Sequence, residues 1–149
     1  MTSRPQQLDD VTHARITSIC DRGNALAEAG DLNTALLTYQ EALGLVPKPI
    51  YEWEAATWIL AAVGDVLFQQ GRYNEARDTL KEAMRCSGAI GNSFIHLRLG
   101  QAHFELKEYK RAKDELARAY MGGGDEIFEG EAPKYKNYIK EILRPREDI

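Results

Sequence analysis

The sequence is poor in the residues on which most catalytic and metal chemistry depends. It holds two cysteines, Cys20 and Cys86, and three histidines, His13, His96 and His103, in 149 residues. The cysteines show no metal-ligand spacing and are expected to be reduced, partly buried thiols. His96 and His103 stand seven apart. On one helix that puts about 10 Å between them along the axis, too far to share an ion directly, and helical zinc ligands prefer a spacing of four. Nothing resembles a nucleophile held beside an acid–base partner. The run Gly122, Gly123, Gly124 ends a helix rather than opening one after a strand, so it makes a poor phosphate cradle. The expectation is no enzyme, no metal and no cofactor.

Other absences narrow the class further. There is no basic surplus: the net charge is -4 and the pI about 5.4, which disfavours a general nucleic-acid binder. No apolar run approaches the roughly 20 residues that span a bilayer. The opening MTSRPQQLDD has no apolar core, so no signal peptide is expected there. These readings favour a cytoplasmic protein without nucleic-acid or membrane partners. Runs of alternating β-branched residues are missing too, which leaves no strand signal.

What the chain has instead is helical periodicity, repeated. Asp9 or Asp10 can cap a first helix reaching about Ala29, with Ile16, Ile19, Gly23 and Leu26 on its apolar stripe. A second helix covers about 32–45 and ends before Pro47 and Pro49. Pro49 suits the first turn of a longer third helix that runs to Phe68, with Ile50, Tyr51 and Trp53 in an extra turn or two. Gly71 stops it. Further helices are expected at about 73–86, 93–106 and 109–121, with Asn92 as a cap. Asp125 to Glu129 suits a short helical turn. Asp125, Glu126, Glu129 and Glu131 read as a solvated acidic loop. Pro133 opens a last helix over about 133–143, which Arg144-Pro145 ends.

The stretch Gly71 to Ala83, GRYNEARDTLKEA, carries a skeleton of Gly, Tyr, Ala, Leu and Ala. It recurs upstream as Gly30, Leu32, Ala35, Tyr39 and Ala42, and downstream as Tyr109, Ala112, Leu116 and Ala119 with Lys107 in the glycine place. Each copy follows a helix with a marker glycine: Gly23, Gly64 and Gly100, at steps of 41 and 36. Small residues let helix axes approach closely, and large ones fill the gaps between them.

This pattern resembles the tetratricopeptide repeat, a helix-turn-helix unit of about 34 residues. The resemblance covers roughly 12–124. It implies an all-α fold, a right-handed superhelical solenoid of three repeats at about 12–47, 50–88 and 93–124. A capping helix at about 133–143 would cover the last repeat. The expected organisation is a flexible terminus over 1–10 and one domain over 11–149. The surplus in the first step falls at 48–54, read as an extended start of the third helix whose Tyr51 and Trp53 either face a partner or pack over the second helix. Departures from the pattern are Arg22 at an apolar place and the loss of the closing proline after Pro47.

In this family the first helix of each repeat lines a concave groove, and partners lie there. By position, the groove residues are Thr17, Cys20 and Asn24, then Trp58, Ala61, Asp65 and Phe68, then Phe94, Leu97, Arg98, Gln101 and Phe104. Asn24, Trp58, Asp65, Phe94, Leu97, Arg98 and Gln101 are the candidate partner-binding set. Aromatics with arginine are the composition of binding hot spots. Cochaperones of the family hold acidic chaperone tails with a five-residue clamp of Lys, Asn and Arg. Here only Asn24 and Arg98 match, beside Cys20, Ala62 and Phe94, and one arginine is too few for a terminal carboxylate.

The expected function is therefore noncatalytic binding of a protein or peptide in the groove, in the manner of an adaptor or chaperone. Two alternatives stand beside it. One is a stand-alone inhibitor: the ending YMGGGDEIFEGEAPKYKNYIKEI resembles that of small bacterial repeat proteins, some of them immunity proteins for secreted toxins. The other is a self-assembling structural protein, for instance a homodimer.

Overall fold

A computed structural model of the chain describes residues 8–143. The terminus expected to be flexible therefore lies mostly, at 1–7, outside the described residues, as does the helix stop expected at Arg144-Pro145. Seven α-helices follow in order: α1 Asp10–Glu28, α2 Leu32–Leu43, α3 Glu54–Gln69, α4 Tyr73–Met84, α5 Ser93–Glu105, α6 Tyr109–Gly123 and α7 Pro133–Leu143. Short 3-10 turns occupy Ile50–Glu52 and Asp125–Phe128, and no strand occurs among the described residues. The fold class is all-α, as the periodicity required. Contacts group the helices into two compact units that divide between Ile90 and Gly91.

In the first unit, α1 pairs with α2 and α3 with α4, and the two hairpins meet through α2 and α3. Local sequence explains the starts. The Asp9 side chain accepts from the backbone N–H of Thr12 at 2.8 Å, and Asp31 caps α2 through Thr34. The marker glycines explain the pairing. A methyl group on Gly23 would stand 2.7 Å from the Tyr39 ring, and one on Gly64 only 2.5 Å from Leu80. Each glycine is thus a seat for the large residue of the following helix. Ala35, Ala42, Ala76, Leu80 and Ala83 are all fully buried, so the repeat skeleton is the core.

The insert departs from expectation. It is not an extended start of α3. Trp53 is in an extended conformation (φ -112°, ψ 131°), and α3 begins only at Glu54. Ile50–Glu52 form a separate turn held against the end of α4, not over α2. The Tyr51 hydroxyl donates to Glu82 at 2.8 Å, the Tyr51 carbonyl accepts from the Ser87 N–H at 2.9 Å, and Arg85 lies over the Tyr51 ring. The insert has its own side-chain partner on α4 and backbone partner just beyond it, which a continued helix would forfeit.

The second unit is the α5–α6 hairpin with α7 laid against α6. Asn92 caps α5 as expected, accepting from the N–H groups of Phe94 and Ile95. Gly100 receives Leu116 as Gly64 receives Leu80, with a methyl there 2.7 Å from the leucine. His96 and His103 are buried core residues, each satisfied by a carboxylate: Glu115 at 2.6 Å and Glu108 at 2.9 Å. Tyr135 and Ile139 of α7 are buried, and Phe104 is ringed by Tyr109, Tyr135 and Tyr138 at 5.2–5.5 Å. Lys134 bonds Glu105 at 2.8 Å and flanks the same aromatic cluster.

Candidate functional site

In the first unit the helical spacing puts His13, Thr17, Cys20, Asp21 and Asn24 along one face of α1. That face meets Trp58 of α3 edge-on through His13, with ring centroids 5.9 Å apart. Between them lies a cleft of about 180 Å³ lined by Thr17, Cys20, Asp21, Asn24, Tyr39, Trp58 and Ala62. Trp58 is 45% exposed. A large aromatic left in water on an otherwise well-packed helix is an unusual use of apolar area.

The polar side of this cleft is built from acceptors and negative charge. The Tyr39 hydroxyl donates to Asn24 Oδ1 at 2.6 Å. Burial raises the Tyr39 phenol to about 12, helped by negative charge at Cys20, Asp65 and Glu28. The Cys20 thiol is pushed up as well, by burial first and then by Asp21. Thr17 lines the cleft with its Oγ buried and without a hydrogen-bond partner among the described residues. Asp65 accepts from the Gln69 side chain at 3.0 Å. Ala62, rather than the buried Ala61, faces the cleft, and Phe68 turns to pack against Tyr73.

In the second unit the candidate residues divide. Phe94 is 38% exposed with Arg98 over its ring. Leu97 and Gln101, expected to line the groove, are buried instead, at 1% and 0% exposure. Leu97 belongs to the apolar core. Gln101 is held in a polar network: Arg98 donates to it at 2.7 Å, and its own amide donates to Glu131 at 2.8 Å. Glu131 also forms a salt bridge with Arg98. Phe104 is likewise taken by the aromatic cluster around α7. The acidic loop is therefore not simply solvated. Glu131 reaches back to the face of α5, and Asp125 approaches Lys136 and Lys140 of α7. Spacing alone could not reveal this, because the partner lies some thirty positions downstream in a loop without periodicity.

Among the described residues no group of three or more His, Cys, Asp or Glu side chains is placed to hold a metal ion. None of the described helices is long and apolar enough to cross a membrane.

Comparisons with known proteins agree with the fold. Residues 59–86, the body of α3 and α4, match the family Tetratricopeptide repeat. Tetratricopeptide repeat protein 12 of Mus musculus is 29% identical over 83% of this chain, and outer dynein arm-docking complex subunit 4 of Danio rerio is 25% identical over 69%. The chain spans 15% and 21% of the length of these curated relatives. Among solved structures, the C-terminal TPR-containing domain of an FK506-binding protein from Plasmodium falciparum superposes with a TM-score of 0.71 at 16% identity, covering 91% of each chain. The Sgt2 TPR domain from Aspergillus fumigatus gives 0.66 at 23% identity over 91% of this chain and 88% of that one. Three hairpins seated on Gly23, Gly64 and Gly100 are what such a repeat requires of a sequence: residues 59–86 match the tetratricopeptide repeat itself, and the chain has the fold of tetratricopeptide-repeat domains.

Proposed function

We propose that this protein is a noncatalytic adaptor that holds a segment of another protein on the α1–α3 face of its first unit, with Trp58 as the anchor. The fold is that of a protein–protein interaction module, and the finer reading rests on one observation. Trp58 leaves nearly half of its surface in water beside a cleft that Thr17, Asp21 and Asn24 also line. Aromatic anchors in pockets rimmed by polar groups carry most of the energy of protein interfaces. Asn24 and Asp65 belong to this surface as its polar rim. Phe94 with Arg98 forms a smaller surface on the second unit. Because Glu131 already neutralises Arg98, that surface is a poor seat for an acidic chain terminus. The partner would be met in the cytoplasm.

The test is retention of the native partner. Full-length protein, wild type and Trp58→Ala, is used to recover binding proteins, and the affinity of the recovered partner is then measured for both. An anchor of this kind should cost about thirtyfold in affinity when truncated, with helicity by circular dichroism unchanged. Equal affinity for both forms rules out the Trp58 face.

A further inference from the structure

Resting on the reading of the Trp58 cleft as a partner site, we infer that the group it takes is an arginine side chain of the partner segment. Size comes first. A cavity of about 150 Å³ holds a benzene-sized group, so 180 Å³ suits the flat end of one long side chain. Shape comes second. The exposed Trp58 indole offers a planar π-face, on which a guanidinium stacks better than any other cation.

Charge decides between a cationic and a neutral occupant. Asp21 lines the cleft and is exposed, and no ion pair engages it among the described residues. Its charge is felt inside the cleft, since it helps raise the Cys20 thiol, and Glu28 reaches the Tyr39 hydroxyl in the same way. Among the described residues no lysine or arginine lines the cleft to balance them. The nearest candidates on α1 face elsewhere. Arg22 is bound to Glu41 of α2 at 2.8 Å, and Arg15 lies two positions from both His13 and Thr17, on the opposite side of the helix. A guanidinium also brings several N–H donors in a fixed fork. The cleft presents acceptors to match: the Asp21 carboxylate and the second lone pair of Asn24 Oδ1. An incoming carboxylate would find no cationic donor and would be repelled by Asp21.

The experiment is a selection. Random peptides displayed on phage are selected on the full-length protein, and those that also bind Trp58→Ala are discarded. The Trp58-dependent binders should converge on arginine at one position. In a synthetic binder, replacing that arginine by norleucine should weaken binding by about five- to tenfold. Asp21→Asn should weaken the arginine peptide and leave the norleucine peptide unchanged. Should Trp58→Ala lose helicity, Trp58→Phe replaces it in the discard step, because phenylalanine keeps an aromatic ring and most of the volume and weakens the stacking. Trp58-dependent binders that converge on apolar, acidic or lysine residues overturn the arginine assignment and leave the cleft as a partner site. Absence of any Trp58-dependent binder overturns both.

Discussion

Tyr39 serves core and cleft with one side chain, and its ionisation reports both. Its ring fills the place opposite Gly23, while its hydroxyl donates to Asn24 at the cleft wall. The fold favours the neutral phenol, which loses its proton near 12 rather than at the ordinary 10. Below pH 10 the folded and unfolded states hold the proton equally. Between pH 10 and 12 the unfolded state has lost it and the folded state has not, so stability falls as pH rises. Wild type should therefore lose urea-midpoint advantage over Tyr39→Phe, which has no phenol to ionise, across that window, and a constant difference would contradict the buried phenol. Leu80 is purer scaffold. It is fully buried against Gly64, so Leu80→Ala should cost about 2–5 kcal/mol by thermal or urea unfolding. Gly64→Ala places a methyl 2.5 Å from the same leucine, and overpacking of that kind costs about 1–3 kcal/mol. At this scale the sequence was legible wherever a residue belongs to the skeleton. Ala76, Leu80 and Ala83 are buried because the repeat leaves them no other place.

At the scale of the element, helix starts and stops were legible because caps act locally. Asn92 and Asp9 do what their chemistry dictates, each accepting backbone N–H groups of the following turn. Asn92→Ala should cost about 1 kcal/mol in the unfolding of the α5–α6 hairpin. The last helix was legible by period, and its burial of Ile139 and Tyr135 in the second unit follows from its apolar stripe. Ile139 is fully buried, so Ile139→Ala should destabilise by about 2–5 kcal/mol. What could not be read were the segments whose conformation is set by distant partners. The 48–54 insert has apolar content and a proline that suits a helix start, yet its turn is fixed by Glu82, Arg85 and Ser87 across the hairpin. Glu131 looked like one acid among several until Arg98 and Gln101 were seen to hold it.

For the whole molecule, the family resemblance carried the fold but placed the binding residues by rule. That rule assumes that inward positions on first helices are open. It holds for Trp58 and Phe94, which stay partly in water. It does not hold for Leu97, which is buried in the apolar core, or for Gln101, which Arg98 and Glu131 hold in a polar network. The surface left open in the first unit is aromatic and acidic. Site-specific photo-crosslinking in cells tests this most directly. A photoreactive phenylalanine analogue is placed at His13, which is exposed beside Trp58, or at Leu37 on α2, which is 67% exposed and away from the cleft. Light should give one discrete heterologous adduct from position 13 and none from position 37. An adduct from 37 alone, or the same adducts from both, would show that partners are held elsewhere.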